Sequence, residues 1–199
     1  MKQKKENKFK RKSTNLNNFK IIEKKGVGIG QVFMFIIAAV TFALIMIFGY
    51  KAVVQFIDKG EQVEFVQFKS ELENSIKKIY TEYGSRSIED FHLPAKYEQI
   101  CFVNLDAQAT PEQIEELCVF DQGACLDLKE AQEVIASGKS GYESASKNVY
   151  LKPAAQYPIK VYKISIGDNL PYLCPKIVKG RFSLVLEGKG DHTEISASN

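Results

Sequence analysis

The sequence predicts an α+β protein: a long N-terminal helix, transmembrane in its first half and amphipathic in its second, then a small β-rich extracytoplasmic domain. Three observations predict it. Val27 to Tyr50 is a run of 24 residues without a charge, in which Gln31 and Thr41 are the only conspicuously polar side chains. The chain beyond it keeps a helical period as far as Tyr83. The last third then changes to short segments of strand composition separated by turn residues.

At about 1.5 Å per residue a helix of that length reaches roughly 36 Å, enough to cross a hydrocarbon core of about 30 Å with some tilt. A soluble core helix is rarely apolar on every side for so long. Residues 1–25 carry ten Lys or Arg against Glu6 and Glu23, a balance of +8. The chain total is +3, which leaves −5 for the remainder. A basic block beside an apolar span reads as positive-inside, with a cytoplasmic N-terminus and residues 51–199 outside a cell membrane crossed once. The lipid bilayer, not nucleic acid, is the partner expected for those lysines, and no basic patch interleaved with aromatics is read downstream. A cleaved signal peptide fits poorly, because the apolar run is too long and passes straight into a helical pattern. The segment is therefore an uncleaved signal-anchor or is cut on its cytoplasmic side. Residues 1–25 read as a disordered basic leader, 26–50 as the transmembrane helix, 51–84 as its amphipathic continuation and 85–199 as the α+β domain.

In order along the chain, Phe65, Phe68, Leu72, Ile76, Ile79 and Tyr83 are spaced 3, 4, 4, 3 and 4, one apolar stripe of a helix. One helix from about Gly28 to Tyr83, ended by Gly84, is expected, with Gly60 its only weak link. Residues 97–105 read as a buried strand centred on Ile100, Phe102 and Val103. Thr110-Pro111-Glu112-Gln113 is a helix start, with Thr as N-cap, proline first and Gln three after the cap; that helix ends near Cys118. Asp127 with Glu130 reads as a second capping box, opening a helix that stops at Gly138, and residues 137–147 read as a polar loop. Residues 148–152 and 158–166 have strand composition, the second with a bulge around Val161 and Tyr162. Residues 181–188 and 192–196 make a terminal hairpin about a Gly188-Lys189-Gly190-Asp191 turn.

Cys101, Cys118, Cys125 and Cys174 all fall in the part placed outside, where an oxidising compartment favours two disulfides. Three pairings are open; the local Cys118–Cys125 loop with Cys101–Cys174 is preferred. Zinc is the rival, but the chain has no C-x-x-C or His-x-x-x-His spacing. Gly26-Val27-Gly28-Ile29-Gly30 opens an apolar span and does not follow a strand, so a dinucleotide loop is rejected. Gly138-Lys139-Ser140 lacks the glycine five positions before it and follows a helix, so a phosphate loop is rejected too. Neither His92 nor His192 sits near a nucleophile or metal ligand at useful spacing. No catalytic residue, metal or cofactor is assigned, and the protein reads as a non-enzyme.

Gln31 and the Lys24-Lys25-Gly26 junction are the features that bulk hydrophobicity does not explain. With the apolar run they resemble the N-terminus of type IV pilin-like proteins, the class of bacterial pili, type II secretion pseudopilins and many archaeal surface filaments. In that family a basic leader ends in glycine, a prepilin-type peptidase cuts on the cytoplasmic side, and a long apolar helix follows. The resemblance implies a processing junction at Lys24, Lys25, Gly26 and Val27, with Val27 the first mature residue. Gln31 would then hold the fifth mature position, where the family usually has Glu paired with the N-terminal amine of a neighbouring subunit. A neutral Gln keeps the hydrogen bond and loses the charge attraction. The match covers residues 24 to about 50; residues 85–199 match no family by motif. The resemblance implies a structural or assembly subunit of a surface filament or secretion pseudopilus, acting by helix packing with itself or other pilin-like subunits. The alternative is an uncleaved, signal-anchored scaffold; a tethered enzyme comes third.

Overall fold

The computed structural model describes residues 28–198; the leader and the Lys24–Val27 junction lie outside them. Over the described residues the protein is α+β, with one long N-terminal helix followed by a small domain of two sheets, three further α-helices and a short 3-10 turn. It divides into two units at Lys51 and Ala52.

Helix α1 spans Ile29–Tyr80 and passes through Gly60 unbroken. Its residues before Lys51 are exposed on every side, Phe33, Phe35, Phe42 and Phe48 among them. An 18-residue window there has a mean hydropathy of 2.8, long and apolar enough to cross a membrane. Within the second unit the helix buries Phe65, Phe68, Leu72, Ile76 and Ile79, each burial worth about 1.5–3 kcal/mol. The sixth member of the expected stripe, Tyr83, is a correction: it lies past the helix end and is 84% exposed. The chain has already turned at Glu82, whose N–H donates to Ile79 O, and Gly84 follows at φ +78°.

Strands β1 (Arg86–His92), β4 (Ile164–Ile166), β6 (Arg181–Gly188) and β7 (Thr193–Ala197) form one sheet in the order β1-β6-β7-β4. β6 is antiparallel to β1 and β7, with Phe91 opposite Phe182, and β4 runs parallel to β7. The β6–β7 hairpin is the one expected. Strand β1 has no counterpart in the sequence reading because its alternation is inverted: Ile88 points out at 65% exposure, while Ser87 and Glu89 share the inner face with Phe91.

The second sheet, in the order β3-β2-β5, joins β2 (Gln99–Val103), β3 (Val149–Lys152) and β5 (Tyr172–Leu173). Both its faces are covered, as the unbroken apolar run of β2 requires. Ile100 and Phe102 face the core built on α1 with Val149 and Leu151, whereas Cys101, Val103 and Tyr150 face α2 (Pro111–Phe120) and α3 (Gln122–Ala136).

Helix α2 starts as expected. Thr110 Oγ1 accepts from Gln113 N and Gln113 Oε1 accepts from Thr110 N, the reciprocal capping box. Helix α3 starts earlier than expected, at Gln122. Asp121 is at once the C-cap of α2 and the N-cap of α3, its Oδ1 accepting from Ala124 N at 2.8 Å. Asp127 is therefore an interior residue and not a cap. Ser137 is the C-cap, with Gly138 at φ +82° just beyond. The loop expected after it contains a single helical turn, α4 (Gly141–Ser144), capped by Ser140.

The strand expected over 158–166 is cut to Ile164–Ile166 by Asn148, which is 1% exposed. Its Oδ1 accepts from Val161 N at 2.8 Å and its Nδ2 donates to Val161 O at 3.2 Å. A side chain thus occupies the pairing groups that a strand neighbour would have used, and Ile159 keeps only a bridge to Val149.

Candidate functional site

Three regions carry polar or exposed features that packing alone does not require. The first is the apolar half of α1. Thr41 Oγ1 donates to Ile37 O or Ala38 O, at 3.0 and 2.9 Å, so its polarity is absorbed inside the helix. Gln31 stands exposed two residues into the helix, its backbone N–H donating to Gly28 O at 2.7 Å. Gly30, Ala39 and Ala43 are also exposed, small positions where a second helix could come close.

The second region surrounds Tyr150. A cleft of about 300 Å³ is lined by Asp121, Lys147, Tyr150, Gln156 and Tyr157. Three of its polar groups, those of Asp121, Lys147 and Tyr150, are already committed. Asp121 caps α3, and Tyr150 donates its hydroxyl to Asp127 Oδ2 at 2.7 Å. Lys147 Nζ sits 3.8 Å from Asp127 Oδ2 and 4.8 Å from the centre of the Tyr150 ring. Burial, followed by the Asp127 carboxylate, pushes the Tyr150 phenol far above its ordinary range, so it stays a donor. The lining holds no histidine or cysteine. Among the described residues no group of three or more His, Cys, Asp or Glu could hold a metal ion.

The cysteines lie at disulfide distance in the preferred pairing. Cys101 meets Cys174 with Cα atoms 4.0 Å apart, and Cys118 meets Cys125 at 4.8 Å. The first bond joins β2 to the segment after β5, and the second joins the end of α2 to the first turn of α3. His92 is exposed on β1, while His192, in the β6–β7 turn, places Nδ1 2.6 Å from Asp191 Oδ1. The structure puts neither with a nucleophile in the cleft.

The third region is absent from the sequence reading and corrects its statement that no basic and aromatic patch recurs downstream. Three segments distant in sequence meet here: the end of α1, helix α4 and residues 160–163. The Tyr80 and Tyr162 rings lie 5.6 Å apart. Lys77 Nζ stands 5.5 Å from the Tyr162 ring centre, and Lys160 Nζ stands 4.4 Å from that of Tyr142. Asp106 anchors one side. Its Oδ2 is 3.0 Å from Lys163 Nζ, and its Oδ1 accepts from Ser140 Oγ at 2.9 Å and Tyr142 N at 3.2 Å. Burial raises the Asp106 carboxyl, but Lys163, Tyr142 N–H and Ser140 together bring it below the ordinary carboxylate value. Lys163 is raised by the same pairing. Burial, then the neighbouring Tyr162 and Tyr80, raises the Tyr142 phenol. The local signals, Lys77-Lys78-Ile79-Tyr80 and Lys160-Val161-Tyr162-Lys163, are short and separated by about eighty residues, so each alone reads as a solvated face.

No protein-family model, curated protein or solved structure matches this chain.

Proposed function

We propose that this is a single-pass membrane protein of the type IV pilin-like kind, a structural or assembly subunit of a surface filament or secretion pseudopilus. Its leader is cytoplasmic and its α+β domain lies outside the membrane. One observation carries the reading: a single helix of 52 residues is apolar and exposed in its first half and sends one buried stripe into a folded domain in its second. A helix of that kind serves two purposes. Its first half holds the subunit in lipid or against other apolar helices, and its second half is packed into the domain. Disulfides at both cysteine pairs agree with an oxidising location for the domain.

Under this reading a prepilin-type peptidase cuts after Gly26, and other pilin-like subunits or further copies pack on the exposed helix. Gln31 would meet the new N-terminal amine through a neutral hydrogen bond, weaker than the charge-assisted bond a carboxylate makes. That substitution favours a second reading, an uncleaved signal-anchored scaffold that does not depend on the amine contact. Intact mass and N-terminal sequencing of the protein from native membranes separate the two. A mature chain beginning at Val27 is expected. A chain still beginning at Met1, in cells that process other prepilins, rules out pilin-type processing and leaves the scaffold.

A further inference from the structure

The Lys–Tyr face is neither core nor anchor, and its composition points to a ligand. Lys77 and Tyr162 are exposed, and Tyr80, Tyr142, Lys160 and Lys163 are half-buried. Tyrosine joins an apolar ring to a polar tip. A pyranose has the matching character, with an apolar C–H face and a rim of hydroxyls. Three such rings beside three ammonium groups therefore fit sugar rings that bear occasional negative charges.

Charge density decides between polyanions. One of the three ammoniums, Lys163, is already paired with Asp106, with Asp191 also within its field, and Lys160 Nζ spends one of its three N–H groups on Ala145 O at 2.7 Å. Residues 51–199 carry a net −5. A nucleic acid strand presents one phosphate about every 3.4 Å, closer together than three ammonium groups, one of them already paired, can match. A glycan with one carboxylate per sugar or per disaccharide spaces its charges more widely and fills the intervals with hydroxyls, which the phenols can bond. We propose that this face binds an acidic, uronate-bearing polysaccharide, with Lys77 and Lys160 holding carboxylates and Tyr162, Tyr80 and Tyr142 packing on the sugars. The inference stands on the face alone and holds whether or not the leader is removed.

The test is calorimetric titration of the full chain, in nanodiscs of neutral phosphatidylcholine, with a galacturonate hexasaccharide. Neutral dextran and an oligodeoxythymidylate serve as comparators. The hexasaccharide is expected to bind, more weakly as salt is raised, and dextran not to. Lys77→Ala and Tyr162→Ala should each weaken binding by about fivefold, Tyr162→Phe by less, and Lys129→Ala, an exposed site on α3, by less than about twofold. Neither Lys77 nor Tyr162 is a buried core residue, so the losses should come with only the small drop in melting temperature that the Tyr80–Tyr162 and Lys77–Tyr162 contacts account for. Lys77→Glu provides a second, charge-reversing variant on a solvent-exposed helical position. Three results would each overturn the proposal. They are no binding of the hexasaccharide, binding unaffected by Lys77→Ala and Tyr162→Ala (which assigns it to the basic N-terminal block), and tighter binding of the oligodeoxythymidylate through the same residues.

Discussion

Asp106 shows how one residue can organise a surface. It links the turn after β2, the cap of α4 and Lys163, and its carboxyl is held below its ordinary value despite partial burial. A depressed carboxyl contributes stability that is present above its unfolded pKa and is lost as pH falls through its folded value. Asp106→Asn is therefore expected to cost about 1–3 kcal/mol at neutral pH, and this difference from the parent should shrink as pH is lowered below about 4. Urea denaturation at a series of pH values measures it; a cost that stays constant down to low pH would show that Lys163 and Ser140 gain nothing from the charge. Asn148 acts by a different route. Its side chain imitates a backbone neighbour for Val161, so a polar residue in the core ends a strand that composition alone would extend.

Between elements, β6 ends in close contact with the end of α1. A Cβ on Gly188 would collide with the carbonyl oxygens of Glu82 and Ile79. The strand is pinned there by Gly84 N–H to Gly188 O at 2.8 Å and Gly188 N–H to Ser85 O at 2.9 Å. Thr193 adds a bond from its buried hydroxyl to Ile76 O at 3.0 Å. Gly188→Ala has no flexible side chain to displace and is expected to destabilise the domain by about 3 kcal/mol or more. Gly60→Ala is the contrasting case, since nothing lies within 4 Å of the added carbon and a helix interior gains about 1 kcal/mol on losing glycine. Thermal melts of the two variants should move in opposite directions. If both rise, β6 is not seated against the helix end.

For the molecule as a whole, two covalent links close loops of very different size, 73 and 7 residues. On chain-entropy grounds the long one is worth roughly 4 kcal/mol and the short one about 2. Cys101→Ala with Cys174→Ala should accordingly lower the urea midpoint further than Cys118→Ala with Cys125→Ala; the reverse order would mean that local strain or helix pairing outweighs loop closure. What was legible in the sequence is local or periodic. The long helix follows from 24 uncharged residues and a 3–4 spacing, the start of α2 from Thr110, Pro111 and Gln113, and the terminal hairpin from alternation about a glycine turn. Those patterns act between near neighbours, so a linear reading detects them. The earlier start of α3 was hidden because Asp127 with Glu130 matches a capping box, whereas Asp121 caps the helix and the Asp127 carboxylate is taken by Tyr150, 23 residues away. Strand β1 shows too little apolar alternation to announce itself and exists because β6 offers a partner. The Lys–Tyr face lay hidden in three separate fragments until folding set Tyr80 beside Tyr162 and Lys160 beside Tyr142. Sequence by itself determined the apolar helix, the class of fold and the register of its buried stripe, since each rests on which side chains avoid water. Tertiary structure decided where strands stop, which aspartate caps a helix and which surface residues act together, because those depend on contacts between residues far apart in the chain.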